Sequence, residues 1–225
     1  MTDICEQLSV QDRQPALDYM TRTFSDDHDR GWLLACLAMF FHMDASKPGY
    51  EQWQQELLKK VEGNYLKAIK CGGEDNIQIM MDYAWFLLHI HRCDEAIPIL
   101  KEIIAREDDL PVELSGYSEG VNHLIADKNL LNEIDKHGTI TAPTVAIAYY
   151  VLVSIYCDTD RETEGVDLLP AFKRFCSKLL MERELDPMKL SHTFSLLGYT
   201  YQAMSKYTEA GQAFRRAADL RLAAQ

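Results

Sequence analysis

The chain has 225 residues, 47% of them hydrophobic and 26% charged, the balance of a folded globular protein and not of a disordered one. Its 23 Lys and Arg face 35 Asp and Glu, a net charge of −12. That excess of acid excludes the basic stripe needed to displace counterions from nucleic acid, and it opposes binding to an anionic membrane surface. The first ten residues hold two acids and no Lys or Arg, so no secretory leader is expected. The apolar runs Trp32–Phe41 and Val145–Cys157 fall short of the ~18–20 residues a membrane span takes. Six cysteines (Cys5, Cys36, Cys71, Cys93, Cys157 and Cys176) form no CxxC pair, which fits a reduced compartment, cytoplasm or nucleus.

In chain order, Trp32–His42 reads as a buried helix and Tyr50–Ile69 as its partner, with Ser46-Lys-Pro48 placing proline in a first turn and Cys71-Gly72-Gly73 ending the element. Asp75 or Asn76 caps a helix running to about His91, and Asp94 with Ile97-Pro98 opens another. Ser118 begins a helix that His137-Gly138 ends, and Thr141-Ala-Pro143 opens one over Pro143–Cys157. A long turn from Asp158 to Glu164 leads to a helix over Thr163–Glu184. Asp186-Pro187 and Ser205-Lys206 set off the last two. Alternation of period two is nearly absent, so no strands are expected. The expectation is one all-α domain, 1–225, of about ten helices.

At the C-terminus, Phe194-x2-Leu197-Gly198-x2-Tyr201 is followed by Ala210-x3-Phe214-x2-Ala217. Small residues stand where two antiparallel helices must approach, and aromatic ones fill the space beside them. Ser191–Ala224 resembles a complete tetratricopeptide repeat of 34 residues, with Phe194 in place of Trp and Leu222 in place of the terminal Pro. Ile77–Leu110 is a weaker copy, carrying Ala84, Leu87, Ala96 and Leu100 in the corresponding slots and Ile103 where a second Ala belongs. Segments 11–71 and 111–185 read as degenerate or inserted pairs, and the insertion Ser115–Gly138 breaks the period. The resemblance implies a TPR-like α-α superhelix of about five antiparallel helix pairs.

Chemistry finds little support. Asp26-Asp27-His28-Asp29 is followed by Arg30 where a diphosphate–magnesium box needs an acid. Asp158-Thr-Asp160 begins like a calcium loop, but Thr163 and Leu169 occupy its sixth and twelfth positions. His89, His91 and Cys93 do not share one helical face. No metalloprotease, nucleophile-elbow, P-loop or dinucleotide motif occurs, so no enzyme, metal or cofactor is expected.

The resemblance implies a concave groove lined by first helices, placing His192, Ser195, Tyr199 and Gln202 in one repeat and Gln78, Met81, Trp85 and Leu88 in the other. Met81 and Trp85 read either as groove anchors or as core, and large apolar residues at helical spacing favour core. The family's Lys/Asn clamp for chaperone tails is replaced by Ser195, Tyr199, Met81 and Trp85, so that adaptor role is not expected. Between Asp94 and Lys136 eleven acids face four bases, and Glu107, Asp108 and Asp109 form either a solvated face or a patch that steers a basic partner. The expected function is a non-catalytic protein–protein interaction module. A structural subunit of a larger assembly is the alternative, and an all-α enzyme ranks below it; separately, the last helix offers a surface for self-association.

Overall fold

The computed structural model describes residues 15, 27–46, 48–49, 51–71, 77–108, 112, 114–118, 125, 127–181 and 185–224. Among them are nine α-helices, one 3₁₀ turn and one two-stranded sheet, so the fold is all-α with a small β element. None of these helices is long and apolar enough to cross a membrane. The chain divides into two compact units, Met1–Phe86 and Leu87–Gln225. The caps expected at Asp75 or Asn76, and also Cys5, Asp26 and Asp109, lie outside the described residues.

In the first unit α1 (Asp27–Ala45) packs along α2 (Gln54–Cys71), which follows a single 3₁₀ turn at Glu51–Trp53. Helix α2 buries Leu57, Val61, Asn64, Tyr65 and Ala68, the three-and-four spacing of one helical stripe. Helix α3 (Ile77–His89) brings Tyr83 and Phe86 to Tyr65, with ring centroids 5.7 and 6.0 Å away, and Phe86 meets the His42 ring edge-on at 5.2 Å. Pro48 does not sit in the first turn of α2 as expected. Gly49 adopts φ +92°, a conformation only glycine enters cheaply, and separates the proline from the helix.

The second unit contains α4 (Cys93–Ala105), β1 (Leu114–Ser118), α5 (Lys128–His137), β2 (Thr139–Pro143), α6 (Thr144–Asp158), α7 (Glu162–Leu179), α8 (Pro187–Ala203) and α9 (Tyr207–Ala223). Helix α6 buries twelve of its fifteen residues because α4, α7, α8 and β2 all pack on it. The two strands correct the expectation of none: Leu114 pairs with Pro143 and Tyr117 with Ile140 in an antiparallel ladder. Thr139-Ile-Thr-Ala does alternate, with Ile140 and Ala142 fully buried, but over too few residues to stand out in a helical chain. Ser118 therefore ends a strand instead of opening a helix. Helix α5 starts ten residues later, where Asp127 accepts from the backbone N–H of Asn129 and Leu130 at 2.9 Å each. Pro98 lies in the second turn of α4 and not the first, because the preceding turn already starts the helix at Cys93.

That turn recurs. His91, Asp160 and Ser205 have φ of 61°, 56° and 56°, and each follows a helix closely. After each one, the next residue's N–H (Arg92, Arg161, Lys206) reaches back to Leu87, Tyr156 or Tyr201 O at 2.8–2.9 Å, closing the helix end with a left-handed residue. The following helices then place buried Ala96, Gly165 and Ala210 four residues beyond those bases. The α6–α7 pair, degenerate by sequence and expected to have a long turn, thus shares the register of α8–α9 and has a three-residue turn.

Candidate functional site

Helix α8 is built to present two faces. Asp186 caps it by accepting from the Met188 N–H at 2.9 Å, and Pro187 fills its first position. One face meets α9. A Cβ on Gly198 would lie 2.6 Å from Phe214 Cε1, so the helices approach where no side chain fits, and Ser191 donates to Ala217 O at 2.8 Å beside it.

Beside it runs the stripe His192, Ser195, Tyr199 and Gln202, with the Tyr199 ring edge-on to Phe214 of α9 at 5.0 Å. Gln202 is exposed and Tyr199 half-buried, while His192 and Ser195 are buried. The occupant beside them is the chain's own insert. His192 Nδ1 lies 3.0 Å from the Thr141 N of β2 and 3.2 Å from the Thr141 carbonyl oxygen, so the ring covers the edge of the strand, accepting from the one or donating to the other according to its tautomer. Burial, first of all, and the charge of Arg221 hold the pKa of His192 below its ordinary value.

Helix α5 brings a carboxylate to the same stripe. Tyr199 donates to Glu133 Oε1 at 2.7 Å, and Glu133 Oε2 lies 3.6 Å from Arg221 Nη2 of α9 and 3.7 Å from His137 Nε2. Lys136 reaches Glu133 from the rim at 3.4 Å. Glu133 is buried, and its Oε2, together with Arg221 Nε and His192 Nε2, has no hydrogen-bond partner among the described residues. Such under-satisfied groups cost about 1–3 kcal/mol each, so the contact is a polar junction held against a penalty. Tyr199 is pushed well above the usual phenol range, by burial first and by Glu133 second, and it stays a donor. Asp127 accepts from Tyr150 OH at 2.7 Å and Asn129 donates to the same oxygen at 3.0 Å, which fixes the start of α5 to α6.

The acidic patch is placed in the same way. Glu107 accepts from Tyr149 OH at 2.7 Å and Asp108 pairs with Lys178 at 2.9 Å, so both are engaged within the chain. On α3, Met81 and Trp85 are buried and Gln78 and Leu88 are half-buried. Gln78 donates to Asp82 Oδ1 at 3.0 Å, and burial pushes the Asp82 carboxyl up to about 7. Gln78, Met81 and Trp85 belong to the first unit and Leu88 to the second.

Sequence reasoning missed Glu133, Thr141 and Arg221. One signal was available: Glu133 sits beside Leu130 and Ile134 on the apolar side of a short helix, where a carboxylate needs a partner. Among the described residues no group of three or more His, Cys, Asp or Glu side chains could hold a metal ion.

No family model matches the chain, and no curated protein matches it. Among solved structures it is similar to BtubC (BKLC) from P. vanneervenii, with a TM-score of 0.51 and 17% identity over 95% of this chain and 73% of that one. The likeness is one of helical fold.

Proposed function

We propose that the chain is a tetratricopeptide-like helical module that binds a protein partner along the groove-side stripe of α8, without catalysis. The observation that carries this reading is the hairpin turn at His91, Asp160 and Ser205. Each time it is followed by a basic residue, then a Glu three positions on (Glu95, Glu164, Glu209) and a small buried residue. Antiparallel pairs in a common register are the unit from which solenoid binding surfaces are made. The free thiols of Cys71, Cys93, Cys157 and Cys176 suit a reducing cytoplasm.

A second reading rests on α9, whose outer side exposes Tyr207 and Leu222 at 69% and 70%. Stacking of a second copy or a larger assembly there would cover them. Sedimentation of the wild type and of Tyr207→Ser/Leu222→Ser separates the two readings, since only self-association changes mass.

The groove reading is tested by affinity capture with Gln202→Arg on the stripe and Arg216→Glu on the outer side of α9. Loss of the captured proteins with the first variant alone supports the groove. Equal recovery with both refutes it.

A further inference from the structure

Resting on the groove reading, we propose that α5 is an autoinhibitory latch over the stripe of α8, bolted by Glu133. A partner segment gains that stripe by presenting a carboxylate of its own to Tyr199 and Arg221.

The latch follows from how α5 is held. It has ten residues, too few to persist as an isolated helix, and buries Leu130, Glu133 and Ile134. Its backbone rests on β2, and it reaches α6, α8 and α9 through side-chain tips: Asp127 and Asn129 on Tyr150, and Glu133 on Tyr199 and Arg221. Gly138, at φ +75°, joins it to β2 and supplies the pivot. β2 stays in place, because it is paired with β1, packs on α8 and runs without a break into buried α6. Two apolar side chains, Leu130 and Ile134, hold the helix besides these polar contacts, and a short element with so few anchors is one that opens locally.

The bolt is suited to exchange. A buried ion pair gains little over its solvated partners, and here Glu133 Oε2 and Arg221 Nε lack hydrogen-bond partners among the described residues. The groups facing Glu133 are the Tyr199 hydroxyl, Arg221, His137 and the rim Lys136, with His192 next to His137 at a ring distance of 5.9 Å. Asp127 adds the other negative charge near Tyr199. One cation and one hydroxyl donor fixed on α8 and α9 match a carboxylate on an amphipathic helix, the chemistry Glu133 itself supplies.

The test uses the full chain and hydrogen exchange. With Glu133→Gln, amides 131–137 should exchange about tenfold faster while α6 and the α8–α9 contact stay protected, and Tyr199→Phe should accelerate the same amides about threefold. A synthetic peptide of residues 127–138 should bind the Glu133→Gln chain about tenfold tighter than the same peptide with Gln at its Glu position does. It should bind the wild-type chain about tenfold more weakly than the Glu133→Gln chain, because there the latch competes. Unchanged exchange in both variants, acceleration spread over α6 and α9, or equal binding of the two peptides overturns the proposal. Protein capture plays no part in these readouts, so an opening latch on a chain that captures nothing would count against the module reading alone.

Discussion

The two faces of α8 hold their neighbours by opposite means. Toward α9 the contact is made of absence: Gly198 lets Phe214 lie against the backbone, and Ala210, Ala213 and Ala217 keep the second helix close. Toward the insert the contact is made of polar groups: a ring nitrogen on a strand N–H, and a carboxylate between a phenol and a guanidinium. The first kind gains from dispersion and close packing and has no cheap alternative state. The second sets desolvation against charge pairing and sits near balance. One face is therefore a permanent joint, and the other is where movement is affordable.

Gly198→Val is the most severe way to break this contrast. The added Cβ collides with the Phe214 ring, and a loss of about 3 kcal/mol is expected by urea unfolding. Adding Phe214→Ala should restore part of it, because the two changes share one space, and strict additivity would show that the ring is not the obstacle.

Glu133 sharpens the other side. Glu133→Ala leaves Arg221 and Tyr199 without their acceptor and should cost about 2 kcal/mol. Glu133→Leu combined with Arg221→Met and Tyr199→Phe, which replaces the whole junction by apolar groups, should come within about 1 kcal/mol of wild type. Equal losses in the two variants would make the junction a source of stability and not a balanced contact.

The contrast also explains what the sequence could tell. The α8–α9 joint was legible because Phe194, Gly198, Tyr201, Ala210 and Phe214 repeat at spacings fixed by helical geometry within one short segment. The polar junction joins residues 66 and 51 positions apart (Glu133 with Tyr199, and Thr141 with His192), and no local pattern encodes such pairs. The short strands were missed for the same reason, since Ile140 and Ala142 make a strand only once β1 lies beside them. The acidic excess of 94–136 was visible as charge. Its pairing with Tyr149, Tyr150, Tyr199 and Lys178 was not, so it read as free surface.

Helix α3 extends the comparison to a half-buried acid. Asp82, raised to about 7 from an ordinary 3.8, contributes stability while protonated, and that contribution is lost as pH rises from about 4 through 7. Asp82→Asn should therefore gain about 1–2 kcal/mol over wild type at pH 8 and much less at pH 5, read from melting at both values. A gain independent of pH would mean the carboxylate is already solvated.

His192 titrates with the opposite sign and a smaller effect. Its folded-state pKa lies below the ordinary 6.5, so the unfolded chain takes up the proton first. Its contribution is complete above about 6.5 and declines as pH falls from there toward the folded value. His192→Gln keeps an acceptor for the Thr141 N–H without a titrating ring. Between pH 7.5 and 5.5 the wild type should lose about 1 kcal/mol more than this variant, measured as the difference between their urea midpoints. His137, lowered by burial as well, remains in both proteins and cancels. Parallel pH profiles would show that His192 trades its bond to the Thr141 N–H for one to the Thr141 carbonyl, 3.2 Å from the same nitrogen, and keeps the strand edge covered in acid.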